Sequence, residues 1–199
     1  MEKKLSQRLV SIMLGICMVF MCLPQRTLPR IDAAATNYGI KINGEPVTSN
    51  NASDILGDGH FRYDASENKL YMKGYNDFSY TNGSGEVKTW SVTNEGAYGL
   101  TMVAEEDCVI VGYILCRVNT TITGSGKIQV KSPTSTYDQK YTKGCIEVMD
   151  NLTTLTIKDA DIDVNFNIFG TSTTALNVIN SNVTVRKNVY GFNEGITLD

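Results

Sequence analysis

Histidine occurs once in the 199 residues, at His60, and tryptophan once, at Trp90. With no Ser or Cys partner motif nearby, His60 reads as a surface loop residue and not as a catalytic base. The chain has no Gly-rich phosphate loop, no dinucleotide fingerprint and no H-E-x-x-H helix. No C-x-x-C or Cys/His spacing suggests zinc. Beyond residue 35 the arginines number only three: Arg62, Arg117 and Arg186. Residues 1–35 hold five of the 18 Lys/Arg and two of the 21 Asp/Glu, so the rest carries 13 against 19, a net of −6. That balance argues against nucleic acid or an anionic membrane as partner. It is compatible with neutral sugars or a cationic ligand.

What is present begins with a leader. Lys3, Lys4 and Arg8 precede a nearly unbroken apolar stretch from Leu9 to Leu23, and Ala33-Ala34-Ala35 supplies an A-x-A cleavage pattern. These are the three parts of a helical, cleaved secretory signal peptide, residues 1–35. The apolar core is short for a membrane span, and an uncleaved signal anchor is the lesser alternative. Neither Cys17 nor Cys22 follows the small residue of a lipoprotein signal. The expected location is therefore secreted or cell-surface, with no membrane span after cleavage. About 164 residues remain, enough for a sizeable core, and they are rich in Thr, Asn, Gly and Val, as a turn-rich β-protein would be.

The organising feature is a phrase that occurs twice, 21 residues apart. Leu155-Thr-Ile157-Lys-Asp-Ala160-Asp-Ile162-Asp-Val164 aligns with Leu176-Asn-Val178-Ile-Asn-Ser181-Asn-Val183-Thr-Val185. Within each, apolar and polar residues alternate with the period of a strand. The alternation slips by one at Ala160 or Ser181, which suits a corner between two short strands. A right-handed parallel β-solenoid repeats such a corner on every coil, stacking like residues about 4.8 Å apart. Ile162 then lies over Val183, Val164 over Val185, and Asp159 near Asn180. An antiparallel sandwich with strands similar by chance is the alternative.

Ile122-Thr-Gly-Ser-Gly-Lys-Ile128-Gln-Val130 is a further copy with one residue inserted. Gly99-Leu-Thr-Met102 and Gly195-Ile-Thr-Leu198 share a Gly, apolar, Thr, apolar opening, and Gly144-Cys-Ile-Glu-Val148 is a looser relative. Ahead of these, residues 36–98 read as an N-terminal β cap: a hairpin around Asn43-Gly44, a loop over 48–60, and a hairpin from Phe61 to Met72. Tyr75 to Gly85 reads as a loop excursion, Trp90 to Val92 as strand, and 132–143 as a polar insertion. Residues 99–199 are then solenoid coils. Leu198-Asp199 stops just after another rung begins, which means either an open last coil or a truncated product of a longer gene. Cys108, Cys116 and Cys145 are an odd set for an exported chain. They read as small buried apolar residues, with one disulfide, Cys108 to Cys116 or Cys145, as the alternative.

The hairpin at Tyr63-Asp64 to Leu70-Tyr71-Met72, the Ile122-Thr-Gly-Ser-Gly corner and the Leu-x-Ile/Val phrase resemble the secreted right-handed β-helix surface proteins of Gram-positive gut bacteria. Their architecture is pectate-lyase-like. The resemblance spans roughly residues 38–198 but rests on degenerate, architectural motifs. It implies carbohydrate-binding or adhesin-type function. Lyases that resemble this fold use a basic residue beside calcium held by carboxylates on one coil face. No motif here accepts a transfer of those residues.

Two sets of residues could carry chemistry. Asp159, Asp161 and Asp163 are the dense acidic set in the coils, with Asp161 and Asp163 on one outward face. Hard oxygen ligands so clustered could hold calcium, although no Gly follows as a calcium loop requires, and a solvated polar face is the plainer account. Glu105-Glu106-Asp107 reads as an exposed turn. Aromatics crowd residues 61–98, among them Tyr63, Tyr71, Phe78 and Tyr98. Flat rings stack on the apolar faces of sugars, and Tyr75, Tyr80 and Trp90 are the nominated ligand-binding residues. The plainer account makes these rings the cover of the coil stack. The expected function is non-catalytic binding of a polysaccharide, surface glycan or host surface, with no obligatory cofactor. The alternatives are a calcium-dependent polysaccharide lyase or hydrolase, and a purely structural segment of a longer adhesin.

Overall fold

The computed structural model describes residues 34–77, 80–81, 87–88, 90–132, 144–171 and 173–199. The leader and the insertion at 133–143 lie outside the described residues. The chain is all-β, with no helix among the described residues. An antiparallel hairpin, β1 (Asn37–Ile42) and β2 (Glu45–Thr48), is followed by a second, β3 (Phe61–Asp64) and β4 (Lys69–Asp77). A small pair, β5 (Tyr80–Thr81) and β6 (Val87–Lys88), precedes β7 (Trp90–Asn94). Then come β8 (Leu100–Val111), β9 (Tyr113–Cys116), β10 (Thr120–Gly124), β11 (Lys127–Lys131) and β12 (Ile146–Val148). The remainder is β13 (Thr154–Lys158), β14 (Asp161–Val164), β15 (Ile168–Gly170), β16 (Ala175–Ile179), β17 (Asn182–Val185), β18 (Val189–Tyr190) and β19 (Ile196–Leu198).

Pairing sorts these strands into three ladders. The first stacks the start of β4, the start of β8, β10, β13, β16 and β19, all parallel. The second stacks the ends of β4 and β8 with β11, β14 and β17. The third runs β7, β9, β12, β15 and β18, with β1 and β2 antiparallel at its outer end. Each pass of the chain adds one strand to each ladder in turn. Register is strict. Leu70, Met102, Ile122, Ile157, Val178 and Leu198 form one continuous row. Ile128, Ile162 and Val183 form another, and Val92, Ile114, Ile146, Ile168 and Val189 a third. Apart from Val189 and Leu198, which are exposed on the last pass, these rows belong to or pack against one shared apolar core. Each wholly buried Ile or Leu there contributes about 1.5–3 kcal/mol.

The corners are built from residues that tolerate them. Asp159 and Asn180 stack with φ of 49° and 45°, a conformation that short polar side chains support. Asn180 Nδ2 donates to Asp159 Oδ1 at 2.7 Å. In the pass before, the corner is Ser125-Gly126, and a Cβ on Gly126 would come within 2.1 Å of the Glu106 carbonyl. Only glycine lets the two corners approach so closely.

Several expectations change. β4 runs on to Asp77, where a loop from Tyr75 was expected, because Tyr75 to Asp77 pair in register with Val109 to Val111. Parallel stacking thus begins at Lys69, ahead of residue 99. Glu105-Glu106-Asp107 is exposed and makes its corner without a break in β8, between the first-ladder register ending at Ala104 and the second-ladder register beginning at Cys108. The segment Ile146-Glu147-Val148 belongs to the third ladder, whereas the Gly-apolar-Thr-apolar openings it resembles belong to the first. Both its faces are buried, and the Glu147 carboxylate accepts from Gly144 N at 3.0 Å. Cys108, Cys116 and Cys145 are buried free thiols, each pushed up to about 12 by burial. They stay protonated at neutral pH and are inert.

The second hairpin carries surface carboxylates held by partners. Hydrogen bonds from Ser66 keep the Asp64 carboxyl below its ordinary value, and Lys69 does the same for Glu67. Groups depressed in the folded state stabilise above their unfolded pKa, and that support is lost as pH falls through the folded one. Thermal unfolding followed from pH 7 to pH 3 should therefore show a loss below the usual carboxylate range that is smaller in Asp64→Asn. In the core, Ile162→Ala should cost about 2–5 kcal/mol in denaturant unfolding. Gly126→Ala should cost about 1–3 kcal/mol or more, by forcing two corners apart.

Candidate functional site

The backbones of Tyr75, Tyr80 and Trp90 lie in β4, β5 and β7. Their side chains lie outside the described residues. Of the other early aromatics, Tyr63 is buried, its ring tilted against Tyr38 at 4.8 Å. Tyr71 lies under the Arg62 guanidinium, 3.5 Å from the ring centroid. Tyr98 is different: it is 79% exposed.

Asp159, Asp161 and Asp163 each have a separate partner. Asp159 sits at its corner with Asn180. Asp161 accepts from Asn182 Nδ2 at 3.2 Å and lies 3.8 Å from Lys127 Nζ. Asp163, only 16% exposed, is clasped by Arg186, Nε to Oδ1 at 3.1 Å and Nη2 to Oδ2 at 2.7 Å. That carboxylate raises the Arg186 pKa. Among the described residues no three His, Cys, Asp or Glu side chains are grouped as a metal ion would need. The partners Asn182 and Arg186 both come from the next pass. A polar cleft of about 420 Å³ lies beside Asp163, lined also by Gln129, Lys131, Asn165 and Arg186. Among the described residues it offers no apolar side chain. His60 lies in its loop against Gly74, with Nδ1 3.6 Å from Asp58.

A second groove, of about 400 Å³, runs across the corners that lead from the third ladder into the first. Its walls are Tyr98, Arg117, Asn119, Asp150, Asn151 and Leu152, with Glu95 at one end. Three successive passes contribute: Tyr98 from the corner before β8, Arg117 and Asn119 from that before β10, and Asp150 to Leu152 from that before β13. Leu152 is 77% exposed, so an aromatic and an aliphatic platform stand at two places along one polar trough.

The platforms sit on rigid supports. Beneath Tyr98, buried Asn94 donates to Ala97 O at 3.1 Å and Thr120 Oγ1 at 2.9 Å, and accepts from Ala97 N at 3.0 Å. The Tyr98 carbonyl accepts from Asn68 Nδ2 at 2.8 Å. Arg117 is held through its carbonyl by buried Thr153 Oγ1 at 3.0 Å. Its Nη1 contacts Asp150 Oδ1 and Oδ2 at 3.2 and 3.4 Å. Asn119 Oδ1 accepts from Thr154 N, and Asn151 Oδ1 from Thr173 Oγ1. Those contacts leave both amide NH₂ groups without a protein acceptor among the described residues. Glu95 is ion-paired with Lys41 at 2.7 Å. The groove therefore combines two apolar faces, two amide donors and two internally balanced ion pairs.

Sequence reasoning noticed Tyr98 among the aromatics but did not single it out, and it missed Arg117, Asn119, Asp150, Asn151 and Leu152. The available signal was local: polar turns at 117–119 and 150–153, each just ahead of a strand of the first ladder.

No protein-family model matches this chain, and neither a curated protein nor a solved structure matches it.

The support under Tyr98 is testable. Asn94→Ala removes the acceptor of the buried Ala97 N–H, while Ala97 O keeps Leu100 N and Thr120 Oγ1 keeps the Val118 carbonyl, and should destabilise by about 1–3 kcal/mol. Arg117→Ala, which breaks an exposed pair, should cost no more than about 1 kcal/mol. Chemical denaturation of both variants checks the difference.

Proposed function

We propose that the chain is an exported right-handed parallel β-solenoid that binds carbohydrate without catalysis, at the secreted or cell-surface location that its leader suggests. The observation that carries this reading is the corner groove, with Tyr98 and Leu152 more than three-quarters exposed above a trough of amides and paired charges. Sugars offer both surfaces such a trough complements: C–H faces that cover apolar platforms and hydroxyls that accept from Asn119 and Asn151. Arg117 and Asp150 add a planar donor and an acceptor that adjacent hydroxyls could bridge. The three parallel ladders and strict register support the solenoid.

Binding is preferred over hydrolysis because glycosidases need two carboxyls free to act as acid and as base or nucleophile. The groove's carboxylates, Glu95 and Asp150, are both ion-paired. The calcium-dependent lyase reading is weaker, since Asp159, Asp161 and Asp163 are each engaged elsewhere.

The purified protein should retain on one or more members of a panel of soluble and insoluble polysaccharides, with and without calcium. Tyr98→Ala should fold normally and lose roughly tenfold or more in affinity, about 1.4 kcal/mol. Undiminished binding by Tyr98→Ala would move the site elsewhere. Failure to bind any polysaccharide would favour a scaffold role within a longer surface protein.

A further inference from the structure

We propose that the ligand of the corner groove is an uncharged polysaccharide in extended form, lying along the stacking direction with successive rings over successive passes. This rests on the carbohydrate reading above and specifies the class and direction of the chain.

Direction follows from the ladder geometry. Tyr98 and Leu152 stand on corners two passes apart, because Leu100 pairs with Thr120 and Thr120 with Leu155. Neighbouring strands are spaced about 4.8 Å, so the two platforms are separated by roughly 10 Å along the stack. An extended chain of six-membered rings advances by nearly one strand spacing per ring. One ring then covers Tyr98, the next faces Asn119, and the third reaches Asn151 and Leu152. A polysaccharide that curls would meet one platform and leave the other.

Charge selects the class. Glu95 is balanced by Lys41 and Asp150 by Arg117, so the groove has no unpaired ion of either sign. A charged chain would have to break one of these pairs. An anionic chain would also meet an acidic surface, with 19 acidic against 13 basic residues beyond the leader.

Leu152 supplies the independent observation. Its φ of 62° lies in the left-handed region, where a bulky side chain is an outlier. Its backbone N–H donates to Thr173 O at 2.9 Å, which fixes that conformation. The side chain is 77% exposed and buries little in return. Glycine would serve the fold better at this position, so the leucine side chain is accounted for by what it touches outside the protein. Strain kept at an exposed residue beside a groove points to a ligand contact.

The test is calorimetric titration of the purified full chain with three oligosaccharide series of one to five rings: β-1,4-linked glucose, which extends; α-1,4-linked glucose, which curls; and α-1,4-linked galacturonate, which is charged. Affinity for the extended series should rise by roughly tenfold or more between one ring and three, then level. Leu152→Gly should abolish that rise, keep the single-ring affinity and raise the thermal midpoint. Equal affinity for one and three rings, preference for the curled or charged series, or an undiminished rise in Leu152→Gly would overturn this inference while the carbohydrate reading stands. If no series binds, this inference fails, and the polysaccharide panel described above decides whether the carbohydrate reading fails with it.

Discussion

Parallel strands hydrogen-bond to one another at one fixed spacing, and each pass of this chain has to meet that spacing on three ladders at once. An inward side chain must therefore fall over the inward side chain of the pass before it. The buried row from Leu70 through Met102, Ile122 and Ile157 to Val178 is the result. No single pass can bury its own apolar face, so stability comes from neighbours. The corners inherit the same restriction. Gly126 under the Glu106 backbone and the Asp159–Asn180 stack are the solutions available where two corners come into contact.

The same stacking creates the groove. Corners between the third and first ladders vary in composition, and apart from a few buried residues such as Ala97 and Phe192 they face outward. Stacking still brings them side by side, and it places Tyr98, Asn119 and Leu152 in line although 54 residues separate the first from the last. Buried Asn94 and Thr153 tie these corners to the ladders, so the exposed side chains are displayed by a rigid base. Such pre-organisation would lower the ordering cost of the carbohydrate binding proposed for the groove.

How much of this was legible follows from the same physics. The 21-residue repeat revealed the stacking because like must lie over like, and the registers of Ile162 with Val183 and Val164 with Val185 were readable directly. Alternation also placed Asp161 and Asp163 on one face correctly. It could not show that Arg186, 23 residues on, would close over Asp163. Ile146-Glu147-Val148 was recognised as a rung but likened to the first-ladder openings, because a strand covered on both faces lacks the alternation that would tell the ladders apart. The groove eluded it for a different reason. Its residues come from three corners that share no motif, and only the three-dimensional stack makes them neighbours. The backbone conformation and exposure of Leu152 are invisible in one dimension.

The central claim is that stacked corners, and not the flank bearing the acidic set, form the functional surface. The direct measurement is an NMR titration of the isotope-labelled protein with whichever oligosaccharide binds it, reading amide and side-chain shifts residue by residue. The account predicts shifts at Tyr98, Asn119, Asn151 and Leu152, on three successive corners, with Lys131, Asp163 and Arg186 unmoved. Shifts confined to that flank, or spread over a single corner, would contradict it.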